Sequence, residues 1–197
     1  MSGASSDFGQ SPPRTLVLGV GNLLQGDEGF GVHVVRRLAA EGAPAWVRIE
    51  DGGTGGVDLL ELITAHERVI VIDALRVRQR DEAGPDRVRD RGFRAMGGSV
   101  SGGESPRVPI PGDVVVFRLN TVELLNPDPD FSLHECSLGG LIRLADALRL
   151  RLPPIDVVGF VPSDVAPSTQ LSEVAERGLE AALARVREIL SRIESGP

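Results

Sequence analysis

The chain has 197 residues, of which 41% are hydrophobic and 25% charged, a balance typical of a globular domain with a substantial core. Its formal net charge of -7 excludes the broad basic surface that nucleic-acid binding requires. A single cysteine, Cys136, excludes an internal disulfide, and the lack of any run of about 18 apolar residues excludes a membrane span.

The N-terminal segment, residues 1–14, is polar and has no apolar stretch like that of a signal peptide. We expect it to be a flexible N-terminus that precedes a single domain over residues 15–194. Without a leader or a membrane span, the expected location of the protein is the cytoplasm.

The first predicted element is a strand over residues 16–20, whose apolar composition is typical of a strand buried on both faces. Gly19 and Gly21 are expected to turn the chain sharply at the end of this strand. Asn22 and the acidic pair Asp27–Glu28 are then the first polar groups offered to a ligand. Because α/β proteins bind ligands at this end of their strands, the acidic turn is a candidate for chemistry.

Beyond this turn, the hydrophobic residues alternate between the spacing of strands and the spacing of helices. Strands are predicted over residues 46–50, 69–72, 114–119 and 155–161, and helices over residues 29–40, 57–65, 137–150 and from Ser172 onward. Strands that alternate with helices predict an α/β fold, a three-layer helix-sheet-helix sandwich with a largely parallel twisted sheet.

One segment, at about residues 78–111, departs from this pattern. It is rich in arginine, aspartate, glycine, serine and proline and has almost no apolar periodicity. We expect it to be a mobile surface loop inserted into the single domain.

Acidic residues follow three of the predicted strands. Right-handed crossovers between parallel strands would bring the turn with Glu28, the turn with Asp51 and the strand end at Asp73 to one edge of the sheet. Asp73 stands out because it closes an apolar run, where an unpaired acid is costly. His134 adds an imidazole, and carboxylates with an imidazole are a set that binds metal ions.

The remaining histidines and the cysteine have simpler interpretations. His33 on the first helix and His66 in an exposed turn are expected to be structural. Cys136 lies two residues from His134, which raises the alternative of a thiol nucleophile with a neighbouring base. Side chains at that spacing diverge, and a free cysteine commonly behaves as a small buried hydrophobe. We therefore favour a structural role for Cys136.

A second reading of the first turn is a nucleotide site, because G-x-G after a strand is part of the Rossmann fingerprint. Here Leu24 stands where the third glycine is expected. The neighbouring Asp27 and Glu28 would repel a pyrophosphate. These two features count against a nucleotide site, and a Rossmann-like nucleotide-binding module is kept as the alternative function.

The blocks GVGNLLQGDEGFGV, DGGTGG, VIDAL, SLHECSL and VVGFVP, in this order, resemble the [NiFe]-hydrogenase maturation endopeptidases from about Thr15 to Leu190. The resemblance implies a protease that removes a C-terminal extension from the hydrogenase large-subunit precursor after nickel insertion. The charge and the lack of an apolar span lead us to expect no nucleic-acid or membrane partner. A non-catalytic chaperone for the same subunit is a further alternative.

The resemblance also implies roles for individual residues. Glu28, Asp73 and His134 would bind the metal, which is nickel supplied by the substrate, with other divalent ions such as cadmium able to substitute. The same resemblance makes Asp51 a supporting residue. Our own hypothesis is that Glu28 or Asp73 assists the attacking water and that Asn22 supports the site by bracing the turn.

Overall fold

The computed structural model describes residues 14–77, 99–100, 109–119, 131–132, 138–163 and 165–196. The strands are β1 (Thr15–Val20), β2 (Val47–Gly53), β3 (Arg68–Ala74), β4 (Arg76–Val77), β5 (Ser99–Val100), β6 (Val114–Arg118), β7 (Phe131–Ser132) and β8 (Ile155–Phe160). The helices are α1 (Phe30–Glu41), α2 (Asp58–Thr64), α3 (Leu138–Ala147) and α4 (Glu173–Ser195), and a single 3-10 turn, Gly26–Gly29, precedes α1.

The main sheet has the strand order β2-β1-β3-β8-β6-β5. Its first four strands are parallel, whereas β6 and β5 are each antiparallel to the preceding strand. This confirms the largely parallel sheet, with two antiparallel strands added at one side. Strands β4 and β7 pair in a separate antiparallel ribbon.

Two of the predicted segments lie mostly outside the described residues. Of the N-terminal segment 1–14, the structure describes Arg14 alone. Of the predicted loop insertion at about 78–111, it describes 99–100 and 109–111. Within that insertion, β5 pairs with β6 and so extends the main sheet.

Helices cover both faces of the sheet. Helices α1 and α4 pack on one face in a cluster that includes Phe30, Phe160 and Leu183, and the rings of Phe30 and Phe160 stack with centroids 4.2 Å apart. Helices α2 and α3 pack on the other face, where Leu60 and Ile142 belong to one cluster. Each such side chain, when fully buried, contributes about 1.5–3 kcal/mol. The three-layer sandwich is confirmed.

Helix α1 lies unusually close to the sheet because glycines line the contact. A Cβ on Gly31 would overlap the backbone carbonyls of Ile72 and Val20, and a Cβ on Gly19 would overlap the carbonyl of Gly31. The expectation that Gly19 shapes the turn is wrong, since it lies inside β1 and its lack of a side chain admits the helix. Gly21, with φ of 142°, makes the turn alone.

Helix α4 begins as its sequence predicts. The hydroxyl of Ser172 accepts a hydrogen bond of 3.2 Å from the amide of Ala175, which caps the helix. Toward the other end of α4, Arg187 donates a hydrogen bond to Glu41 at the end of α1, and this bond lowers the pKa of Glu41. Among the described residues, no helix combines the length and the apolar character needed to cross a bilayer.

Candidate functional site

The C-terminal edge of the parallel strands gathers the acidic turns that the sequence places after them. Gly19 of β1 lies in register with Asp51 of β2 on one side and with Ile72 of β3 on the other. Asp51 and Asp73 therefore occupy neighbouring levels of the sheet, separated by β1. The predicted convergence of the three turns on one edge is confirmed.

The turn after β1 is a closed loop. The amide of Asn22 donates to the carbonyl of Glu28 at 3.2 Å, and a Cβ on Gly21 would overlap that same carbonyl. The amide of Gly21 donates to the carbonyl of Gly53 at 2.8 Å, which ties the loop to the end of β2. Only glycine fits at position 21, because both its φ and the space around it exclude a side chain.

This loop offers few amides to an anion, because most of them already bond within the protein. The donors and their acceptors are Gly21 to Gly53, Asn22 to Glu28, Leu24 to the Asn22 side chain, Gln25 to Asn22, Gly26 to Ser168 and Glu28 to Gln25. A dinucleotide-binding turn needs such amides to point at the pyrophosphate. The loop geometry therefore argues against the Rossmann-like alternative.

Glu28 lies on the 3-10 turn Gly26–Gly29, and its side chain is half-buried. The turn packs against β3, and the contact of Gly31 with the carbonyl of Ile72 sets how closely it approaches. Glu28 stands three residues, nearly one helical turn, before Gly31. The contact between Gly31 and Ile72 therefore holds the turn that bears Glu28 against β3, the strand that contains Asp73.

Asp73 is inside the sheet rather than just beyond it. It pairs in register with Gly159 of β8 and is 3% exposed, so β3 continues one residue past the acid that was expected to close it. A carboxylate at such a depth needs partners to offset its desolvation. Its burial at an edge with other acids is the arrangement expected for a functional group.

Asp27, the acid next to Glu28, has a different role. It is 2% exposed, and its carboxylate accepts hydrogen bonds of 2.8 Å from both the amide and the hydroxyl of Ser172. These bonds join the 3-10 turn to the cap of α4. The sequence offers both acids of this turn to a ligand, and in the structure Asp27 is bonded within the fold instead.

The two supporting residues each make local bonds. The side chain of Asn22 accepts a hydrogen bond of 3.0 Å from the amide of Leu24, which stabilises its own loop. Asp51 accepts from the amide of Gly53 at 3.1 Å and from the guanidinium of Arg36 on α1. Arg36 was missed by the sequence reasoning, because its partner lies 15 residues away on a different element.

The histidines and the cysteine complete the set of sequence candidates. His134 and Cys136 lie outside the described residues. His66 is buried, not exposed as expected, and its ring nitrogen bonds the carbonyl of Leu62 at 2.8 Å. His66 is therefore structural, as expected, but it is buried in the protein rather than exposed in a turn. Within the described parts of the chain, no three His, Cys, Asp or Glu side chains form a group that could hold a metal ion.

Comparison with known proteins agrees with the resemblance found in the sequence. The family model for the hydrogenase maturation protease HycI matches residues 32–84. The hydrogenase expression/formation protein HupD of Rhodobacter capsulatus is 54% identical over 155 residues, which cover 78% of this chain and 60% of that protein. The hydrogenase 2 maturation protease of Escherichia coli K12 is 29% identical over 177 residues, or 88% of each chain.

Solved structures are similar over a greater share of their length. The hydrogenase maturating endopeptidase HybD of Escherichia coli has a TM-score of 0.65 and 29% identity to this chain, covering 93% of this chain and 94% of its own. In contrast, the chain spans only 60% of the length of the Rhodobacter capsulatus relative. The fold, the ordered motifs and these matches make the chain similar to the hydrogenase maturation proteases.

Proposed function

We propose that this protein is an endopeptidase that removes the C-terminal extension of a [NiFe]-hydrogenase large-subunit precursor after nickel has been inserted. It would recognise the metal-loaded client with Glu28, Asp73 and His134. The nickel belongs to the substrate, so these side chains need only modest affinity for it. A permanently tight site would remove the metal from the client.

The observation that carries this proposal is the position of two acids at one edge of the sheet. Glu28 comes from the turn after β1, and Asp73 comes from β3, the strand beside β1. Carboxylate oxygens from separate elements at a strand edge are donors suited to a divalent cation. The close contact of Gly31 with the backbone of β3 holds their two elements together.

The ribbon of β4 and β7 supports the inclusion of the third residue. Strand β4 begins three residues after Asp73, and β7 ends two residues before His134 in the sequence. The two strands pair, with Arg76 opposite Ser132. The chain that leaves Asp73 therefore runs beside the chain that leads to His134.

The proposed reaction is hydrolysis of one peptide bond. The client's metal would fix the geometry of the precursor, and Glu28 or Asp73 would accept a proton from the attacking water. General-base assistance of this kind contributes about 10²–10⁴ in rate. Asp51, held by Arg36, would support the edge without acting on the substrate.

The test is processing of a candidate large-subunit precursor, with and without nickel, measured by the mass of the intact product. Glu28→Gln, Asp73→Asn and His134→Ala should each fold normally, as judged by circular dichroism, and reduce the cleavage rate about 100-fold or more. The nickel-free precursor should stay intact.

Two control variants sharpen this experiment. Glu61→Gln changes an exposed acid of α2 and should process the precursor at the normal rate. Cys136→Ala should also retain activity, whereas its loss in a folded protein would favour the thiol mechanism. Normal cleavage by all three site variants would refute the proposed site, and binding of the precursor without any cleavage by the unaltered protein would favour the chaperone alternative.

A further inference from the structure

Leu24 is a large apolar side chain that the fold leaves in solvent. It is 67% exposed, although it lies only four residues before Glu28. One exposed leucine is by itself unremarkable on a protein surface. The local backbone distinguishes this one.

The backbone on both sides of Leu24 is fixed by hydrogen bonds. Its amide donates to the Asn22 side chain at 3.0 Å, and its carbonyl accepts from the amide of Ser168 at 3.1 Å. The next residues are held as well, because Gly26 donates to the carbonyl of Ser168 at 2.8 Å. With both of its backbone groups bonded internally, Leu24 presents its side chain alone to a partner.

The position of Leu24 relates it to the candidate site. Its loop closes on the carbonyl of Glu28 through the amide of Asn22, so Leu24 and Glu28 belong to one hydrogen-bonded loop. A second exposed aliphatic residue, Val57, is 64% exposed and immediately precedes α2, after the neighbouring turn. The bond from Gly21 to Gly53 holds these two turns together.

We propose that Leu24 is a docking anchor for the client polypeptide, against which an apolar residue of the precursor near the scissile bond is buried. This inference rests on the proposed function, because the client is the partner that must reach this edge. A side chain on a fixed backbone loses little conformational freedom on binding, so it contributes to affinity more than one on a mobile loop would. Leu24 would determine affinity for the precursor without taking part in bond cleavage.

The experiment compares Leu24→Ser with Leu148→Ser in precursor processing. Leu148 is 56% exposed and follows α3, at the edge of the sheet opposite the acids, so it is a matched control. For Leu24→Ser we expect the KM for the nickel-loaded precursor to rise about tenfold, equivalent to about 1.4 kcal/mol of binding, with kcat within about twofold of normal. Leu148→Ser and the conservative Leu24→Met should behave as the unaltered protein does.

The outcomes separate this inference from the proposed function. If the unaltered protein and Leu148→Ser both leave the precursor intact, the proposed function fails and this inference fails with it. If both cleave it and Leu24→Ser has an unchanged KM, or loses kcat instead, the docking role alone is refuted. A dimer of the unaltered protein in sedimentation that Leu24→Ser converts to monomer would assign Leu24 to self-association and would also overturn the inference.

Discussion

Asp27 and Glu28 are adjacent in the chain, yet burial gives them different roles. The carboxylate of Asp27 is 2% exposed and bonds the amide and the hydroxyl of Ser172, whereas Glu28 is half-buried on the 3-10 turn that packs against β3. A buried carboxylate persists only when its partners compensate for the lost water. Ser172 supplies that compensation, and so the loop that carries Glu28 is joined to α4.

This brace predicts a loss of stability in Ser172→Ala. The substitution removes the cap of α4, which costs about 0.5–2 kcal/mol, and it deprives Asp27 of one of its two bonds. We expect a total loss of about 1–3 kcal/mol in the free energy of unfolding, measured by urea denaturation.

The matched control for this variant is Ser195→Ala. Its hydroxyl bonds the carbonyl of Ser191 within the exposed last turn of α4, so its loss should cost less than about 0.5 kcal/mol. Equal stability of the two variants would show that the bond between Ser172 and Asp27 does not stabilise the fold.

At the scale of elements, the contact between α1 and the sheet is made by backbone atoms. A Cβ on Gly31 would overlap the carbonyls of Ile72 and Val20, and neither carbonyl can rotate away as a side chain would. For Gly31→Ala we expect a loss of about 3 kcal/mol or more, because the whole helix must move. Thermal unfolding measures this loss.

Gly56→Ala is the control for that prediction, since a Cβ there would meet no atom within 4 Å. Its unfolding temperature should stay close to that of the unaltered protein. If Gly31→Ala is equally stable, the close approach of α1 does not constrain the position of Glu28 as we argue.

Hydrophobic periodicity predicted most strands and helices because burial on one face or on both leaves a local pattern in the sequence. The cap at Ser172 was also predicted, from its residue type and the amphipathic run after it. In contrast, the bond from Ser172 to Asp27 joins residues that are 145 positions apart, and no local pattern encodes it. The same limit applies to Gly19, whose need for glycine comes from a carbonyl on another element.

The candidate site was predictable in part for the same reason. The ends of parallel strands meet whatever their sequence, so the grouping of Asp51, Asp73 and the turn with Glu28 follows from topology. Whether an acid bonds a neighbouring side chain depends on the packed structure. The bond between Arg36 and Asp51 is an example, because the side chain of a surface arginine can adopt many conformations and reach many partners.

At the scale of the whole molecule, charge differs between the two edges of the sheet. The C-terminal edge carries Glu28, Asp51 and Asp73. At the opposite edge, the charged residues that line a cleft are one acid, Asp156, and three arginines, Arg68, Arg118 and Arg192. Acids concentrated at one edge create a local potential that attracts cations there. A divalent cation should therefore bind at the acidic edge, whereas a dinucleotide should not.

This predicts how the protein without its client responds to ligands. A nickel concentration about tenfold above its dissociation constant stabilises the folded state by about 1.4 kcal/mol, which raises the Tm of a domain this size by roughly 3–6 °C. Cadmium should act similarly and NAD should have no effect, because the loop amides that would hold its pyrophosphate already bond Asn22, Glu28 and their neighbours.

The variants locate the response on the molecule. Glu28→Gln and Asp73→Asn should each lose the nickel-dependent rise in Tm, whatever their Tm without metal. Glu194→Gln should keep it, since Glu194 lines a cleft with Arg14 at the opposite edge. A rise that survives in both site variants would place the nickel elsewhere. If NAD raises the Tm and nickel leaves it unchanged, the acidic edge is not a cation site, and the protein binds nucleotides despite its bonded loop.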